Sequence, residues 1–262
     1  MTFKNKSIWI TGGGSGIGRA LAVEFARQGA RVAVSGRRLG KLEESVEAIN
    51  AAGGTGLAVQ CDVTEEQQVI AAVEQVVDEF GGLDVSIANA GFGVGGRVED
   101  LSADDWRRQF DVNVVGAAIT ARHSLPELRK TDGRVVLMGS VAGTIAQPGN
   151  SAYCASKYAV RAIGQALAME LSGESVSCTL VQPGFIESEI GQVDNKGQFR
   201  EDWTDKRPQQ LMWPADKAAR VIVRAIDKRK REFTFTGHGR VVSFFGKHMP
   251  GVVHHAITKF SD

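Results

Sequence analysis

The chain has 262 residues, 43% of them hydrophobic and 23% charged, with a net charge of +1. This is the balance of an ordinary globular protein with enough apolar material for a sizeable core. It gives no electrostatic footprint for nucleic acid, and the one short basic run, Lys228-Arg229-Lys230-Arg231, reads as a solvated helix end.

Three cysteines, Cys61, Cys154 and Cys178, lack the even count and regular spacing of a disulfide framework. No Cys/His cluster has metal-ligand spacing, so no metal is expected. The apolar segment after Lys6 is too short for a signal sequence, and no run approaches the ~20 apolar residues of a membrane span. The expectation is a cytoplasmic protein.

In chain order, 7–10 reads as a buried strand that runs into the glycine-rich stretch TGGGSGIGR. A helical pattern follows over 18–28 and ends at Gly29. Strand 31–35, helix 39–52 and strand 57–61 come next. Helix 65–80 carries Val69, Val73, Val76, Val77 and Phe80 on one face and stops at Gly81-Gly82. Strand 85–88 leads to Asn89-Ala90-Gly91. Ser102 to Asp105 resembles a capping box, with Asp replacing the usual Glu, and the spacing predicts one helix to about 128, bent near Pro126. Strand 134–138, helix 153–171, strand 175–181, helix 215–229 and strand 232–236 complete the order.

Strands alternate with helices, and the strands are continuous apolar runs rather than polar–apolar alternations. That pattern predicts a parallel sheet covered on both faces, doubly wound by right-handed crossovers. No Pro/Ser-rich linker divides the chain, so 1–262 is expected to be one domain. In such sheets a ligand lies beyond the carboxyl ends of the strands.

The residues at those ends are informative. Gly12, Gly14, Gly16 and Gly18 follow the first strand at alternate positions. They miss the P-loop pattern, because Arg19-Ala20 replaces Lys and a hydroxyl, and they miss GxGxxG, because Ile17 stands at its last position. A strand before and a helix after still favour an anion cradle at the helix N-terminus over a merely flexible loop. The second strand ends in Gly36-Arg37-Arg38, where an acidic residue would accept from an adenosine ribose. Arginine cannot accept, but its fork suits a 2′-phosphate; the competing reading is two surface arginines. After the third strand, Asp62 can accept from an adenine amino group with Val63 packing on the ring, or Asp62 can serve as a helix cap. Asn89-Ala90-Gly91 offers small residues for close approach to a ligand, although core packing explains Ala90 equally well. Ser140 follows the fifth strand; Tyr153 stands thirteen residues on and Lys157 one helical turn later. An ammonium on the same face as a phenol favours the phenolate.

Taken as a set, TGGGSGIG (Thr11 to Gly18), NAG (Asn89 to Gly91), Asn113, Ser140, YCASK (Tyr153 to Lys157) and Pro183-Gly184 resemble, in order and spacing, the short-chain dehydrogenases/reductases. The likeness covers about the first 190 residues and the helix from Ala215. It implies a Rossmann-like, doubly wound α/β fold with seven parallel strands. It also implies hydride transfer between nicotinamide and a carbonyl or secondary alcohol, with NADP(H) preferred on the strength of Arg37. Tyr153 would be the acid or base and Ser140 would hold the substrate oxygen. Lys157 would bind the nicotinamide ribose and lower the tyrosine pKa, and Asn113 would support a proton-relay water. Gly12, Gly14, Ser15, Gly16, Ile17 and Gly18 would line the pyrophosphate. Arg37, Arg38, Asp62, Val63, Asn89, Ala90 and Gly91 would flank the adenosine side, and Pro183, Gly184, Ile186 and Ser188 the nicotinamide end. A homodimer or homotetramer is implied.

Two other readings stay open: an NAD-dependent alcohol dehydrogenase of the same family, or a nicotinamide-binding regulator without turnover. By analogy, 185–213 is the substrate lid. Its charged residues, among them Asp194, Arg200, Asp205, Lys206 and Arg207, suggest a mobile solvated loop. The tail, 238–262, carries Val241-Val242-Ser243-Phe244-Phe245 and Val252-Val253, an apolar extension typical of relatives that handle hydrophobic substrates. It reads as a pocket wall, a subunit interface or, less readily, a membrane-surface contact. The adjacent His254 and His255 cannot share a helical face and are not expected to bind metal.

Overall fold

The computed structural model describes residues 2–205 and 207–259; Lys206 of the lid and the last three residues of the tail lie outside them. Seven parallel strands form one sheet in the order β3-β2-β1-β4-β5-β6-β7. They are β1 (Ser7–Thr11), β2 (Arg31–Gly36), β3 (Thr55–Gln60), β4 (Val85–Ala88), β5 (Arg134–Met138), β6 (Ser177–Gln182) and β7 (Glu232–Thr234). Central β1 pairs with β2 on one side and β4 on the other. The strand order reverses there, which opens a crevice at the carboxyl edge of the sheet.

The pleat sends alternate side chains of β1 to opposite faces. Ile8 and Ile10 join Leu21 and Phe25 of α1 (Gly16–Ala26) and Ile222 and Ile226 of α7 (Ala215–Asp227). Trp9 joins the opposite layer with Val73 and Val76, Leu128, and Leu167. These come from α3 (Glu66–Phe80), α5 (Gly116–Lys130) and α6 (Ser151–Glu170), respectively. Its indole donates to Ser35 Oγ at 3.1 Å, so the buried N–H is satisfied. Both layers are therefore built from sheet residues that had to be apolar on both faces, as the continuous runs required.

The helix expected from 102 to 128 is divided. Ser102 and Asp105 form the reciprocal capping box at the start of α4 (Ala103–Phe110). A π-helical turn, Asp111–Val115, then precedes α5. The irregularity lies at Asn113 and not at Pro126, which stays inside α5. A wide turn of this kind re-aims side chains, and Asn113 is buried with its amide fully engaged. Its Nδ2 donates to Phe92 O (3.0 Å) and Ser156 Oγ (3.1 Å), and its Oδ1 accepts from Phe92 N (3.0 Å).

The tail forms two helices, α8 (Gly237–His248) and α9 (Pro250–Lys259). α8 lies against the turn after β5, so close that a Cβ on Gly246 would meet Thr144 O at 2.5 Å. Its other side leaves Val241 and Phe244 exposed, as are Met249 and Val252. Among the described residues no helix is long and apolar enough to cross a membrane.

Candidate active site

A cleft of about 770 Å³ opens along the carboxyl edge. Every position assigned above to dinucleotide binding lines it: Gly12, Gly14, Ser15, Gly16, Ile17, Gly18, Arg37, Arg38, Asp62, Val63, Asn89, Ala90, Gly91, Lys157, Pro183, Gly184, Ile186 and Ser188. So does the acid/base candidate Tyr153, which the resemblance also sets against the cofactor. Ser140 lines it as well; Asn113 stands one layer behind, beneath Gly91.

The glycine turn between β1 and α1 is a cradle that side chains would fill. Gly12 and Gly16 have φ of +65° and +52°, which glycine adopts without strain. A Cβ on Gly18 would lie 2.2 Å from Gly12 O and 2.6 Å from Asn89 Nδ2. That amide ties the turn down by donating to Thr11 O (2.9 Å) and Gly12 O (3.1 Å). Ser15, the N-cap of α1, makes no side-chain cap bond, and the first turn has no acidic residue. The helix start is thus free of competing negative charge, as a pyrophosphate site requires. Gly18→Ala is expected to destabilise the fold by ~1–3 kcal/mol through overpacking against backbone and to abolish nicotinamide cofactor binding in calorimetry. Wild-type stability and affinity in this variant would contradict the cradle.

At the far end Arg37 and Arg38 leave β2. Arg37 Nη2 donates to Gly197 O at 2.8 Å, and Arg38 pairs with Glu189 at 2.7 Å while lying over the Phe199 ring. A recess of about 460 Å³ beside them is lined by Arg37, Gln60, Asp62 and Gln68. Asp62 Oδ1 accepts from Thr64 N (3.0 Å) and Thr64 Oγ1 (2.9 Å). It therefore shapes the turn before α3, whose N-cap is Glu65 rather than Asp62.

At the near end α6 presents Tyr153 and Lys157 on one face. Lys157 is buried, donates to Met138 O at 2.8 Å, and has its ammonium 5.8 Å from the Tyr153 ring centroid. Burial lowers its pKa to about 8. Burial likewise pushes the Tyr153 phenol up, while a hydrogen bond with Ser140 and the charge of Arg207 pull it back. The net direction is up, opposite to the lowering expected from Lys157 alone. Ser140 Oγ also accepts from Ala142 N at 3.1 Å, which fixes its rotamer at the end of β5.

Several charges of the 185–213 segment are paired, while Lys196, Glu201 and Asp202 are exposed. Besides the two β2 arginines, Arg200 pairs with Asp194, Arg207 with Asp205, and Asn195 exchanges two bonds with Gly95. Phe92, Val112, Val193, Phe199 and Arg207 also line the cleft and had not been singled out. Phe92 directly follows Asn89-Ala90-Gly91 and was findable; the lid residues carry no local pattern. Among the described residues no group of three or more His, Cys, Asp or Glu side chains is placed to hold a metal.

The profile of the short chain dehydrogenase family matches residues 6–198. An uncharacterized oxidoreductase of Listeria innocua is 32% identical over 231 residues, covering 87% of this chain and 93% of its own. A short chain dehydrogenase/reductase of Burkholderia phymatum, solved with NAD, superposes with a TM-score of 0.80 at 30% identity, covering 89% of this chain and 90% of its own. A short chain dehydrogenase of Burkholderia cenocepacia, solved with NADP, gives 0.81 at 28% identity, covering 92% and 100%. The chain belongs to the short chain dehydrogenase family. It is an NAD(P)-dependent oxidoreductase with the Rossmann-like fold of that family.

Proposed function

We propose that the protein interconverts a carbonyl and a secondary alcohol on a largely apolar small molecule, with NADP(H) as cofactor. The observation that carries this reading is the convergence of Tyr153, Ser140 and Lys157 at one end of a cleft whose other parts form the glycine cradle and the arginine pair. The cradle fits a pyrophosphate because glycine alone leaves it open. When bound, the nicotinamide supplies or accepts the hydride.

The protein's own part is the proton and the oxygen. Tyr153 Oη holds the proton given to a developing alkoxide, and its raised pKa keeps it protonated at neutral pH. Ser140, already bonded to that phenol, offers a second donor to the same oxygen. Lys157, mostly charged below its pKa of about 8, provides a buried cation beside Tyr153. Asn113 braces Phe92 and Ser156, and so the floor of the site. Phe92, Val112 and Val193 form an apolar wall of the cleft, backed by the buried Val94 and Ala152. Tyr153 Cδ2 lies 3.5 Å from where a Cβ on Gly93 would stand, at the edge of that wall. This supports an apolar substrate.

The test is the change in nicotinamide absorbance across a panel of carbonyls and alcohols of graded hydrophobicity. Cofactor binding without turnover of any of them would favour the regulator over the catalyst.

Arg37 supports the NADP(H) preference. It is exposed, bonded to the lid through Nη2 alone, and flanks a polar recess. NADPH is expected to bind more tightly than NADH, and Arg37→Ala to narrow the gap by roughly tenfold, the worth of one charge-assisted bond at an exposed site. Equal dissociation constants for the two cofactors on wild-type protein at low salt would rule this out.

A further inference from the structure

We infer that Arg207 is a positioning residue for the transfer step, a guanidinium pin that holds the extended segment 186–188 at the Tyr153 end of the cleft. The inference rests on the reading of Tyr153 and 183–188 given above.

The segment leaves β6 as an isolated strand with two edges. One edge is bridged to Trp213: Trp213 N donates to Phe185 O, and Glu187 N donates to Trp213 O, both at 3.0 Å. In an extended chain, successive residues turn their backbone groups to opposite sides. The carbonyls of Ile186 and Ser188 therefore face away from Trp213 and need another partner. Arg207 supplies it, with Nη1 donating to Ile186 O (3.0 Å) and Nη2 to Ser188 O (2.9 Å); Ile186 O also accepts a longer bond from Ser188 Oγ (3.3 Å).

The guanidinium is itself held. Its Nε donates to both oxygens of Asp205 (3.0 and 3.1 Å), and Nη2 donates to Asp205 Oδ2 at 2.7 Å. The bond with Arg207 keeps the Asp205 carboxyl below its ordinary range. Asp205 in turn presses on the far end of the same loop, where a Cβ on Gly191 would lie 2.4 Å from Asp205 Oδ1. The two side chains are only 22% and 19% exposed, so this is a weakly screened, geometrically fixed pair rather than a surface ion pair. A lysine could not replace it, since three separate acceptors need a planar fork.

Arg207 lines the cleft, and its charge acts on the Tyr153 phenol. The pin thus stands between the lid and the reacting end. Its removal leaves Ser188 O without a partner among the described residues and Ile186 O with only the long bond from Ser188 Oγ. The segment can then shift relative to Tyr153, and a displacement of about 1 Å costs on the order of 10² in rate.

The test uses the whole chain with Arg207→Met, and Asp205→Asn as a milder variant should the first fail to fold by circular dichroism. In ligand-free protein, hydrogen exchange of the amides in 185–191 is expected to speed up roughly tenfold or more, while β2 stays protected. Unchanged exchange in folded variants overturns the pin. In turnover, kcat is expected to fall roughly 10²-fold, a larger factor than any weakening of NADPH binding at the segment's own contacts. Faster exchange with wild-type kcat overturns the positioning role. If wild-type protein turned over no substrate, the oxidoreductase assignment of Tyr153 would fail, and the exchange data would still decide whether Arg207 holds the segment.

Discussion

Tyr153→Phe is expected to lower turnover by roughly 10²–10⁴-fold, the range for loss of a positioned general acid, while leaving cofactor affinity unchanged. The substitution removes one oxygen from a side chain that the rest of the fold already holds. α6 continues to Lys157 and beyond, the ring keeps its place near Gly93, and Lys157 keeps its bond to Met138 O. What disappears is the only phenolic proton lining the cleft among the described residues, together with its bond to Ser140. Ser140 alone still offers a donor to a substrate oxygen, so a small residual rate is consistent with the mechanism. The measurement is steady-state reduction of a confirmed carbonyl substrate beside calorimetric titration of the cofactor. A variant that turned over at the wild-type rate would show that the proton comes from elsewhere.

The second large effect concerns stability and needs no ligand. Lys157 is buried, and burial carries its pKa from 10.5 down to about 8. Below pH 8 the lysine is protonated in both folded and unfolded chains, and the fold bears the full cost of a buried ammonium. At 1.36 kcal/mol per pH unit the separation corresponds to ~3 kcal/mol. Between pH 8 and 10.5 the folded chain releases the proton first, and the cost fades. Lys157→Met removes the charge at every pH. It also leaves Met138 O without its donor, a loss of ~1 kcal/mol. Ligand-free Lys157→Met is therefore expected to be more stable than wild type by ~2 kcal/mol at pH 7 in urea unfolding, with the advantage shrinking toward pH 10.5. A less stable variant at pH 7, or an advantage that does not change with pH, would contradict it. The same variant is expected to lose activity, which separates the site's requirement from the fold's.

The comparison of these two residues shows why some of the site was legible in the chain alone. Tyr153 and Lys157 are one helical turn apart, so their juxtaposition follows from helix geometry. The glycine turn is equally local, bounded by β1 and α1. That the sheet is parallel and doubly wound followed from alternating elements with apolar strands, because parallel strands need crossovers and crossovers have one hand.

The edges of that reading mark where local information ends. β3 begins at Thr55, two residues before its apolar run, because backbone pairing of Arg31 with Thr55 sets its start. The break in the long helix sits at Asn113, whose partners Phe92 and Ser156 lie 21 and 43 residues away. Pro126, the residue with the visible signal, stays within α5.

The segment 185–213 is the clearest case. Its charges suggested solvent because charged residues are usually solvated. Several are instead paired, Glu189 with Arg38 over 151 residues and Asp194 with Arg200 and Asp205 with Arg207 within the segment, while Arg37 reaches the backbone of Gly197 over 160 residues. Arg207 had no pattern to distinguish it from its charged neighbours. Its role depends on two carbonyls turned away from Trp213 when 185–188 bridges to it, a fact that exists only once the chain has folded.

The sequence by itself thus determined the parallel, doubly wound sheet, the glycine turn before α1 and the Tyr153–Lys157 pair, because each depends on spacings of a few residues or on a handedness common to all L-chains. Only the tertiary structure decided what the lid's arginines hold, which way the Tyr153 pKa moves, and where the long helix gives way. Those depend on burial and on hydrogen-bond partners that the chain brings together across large separations.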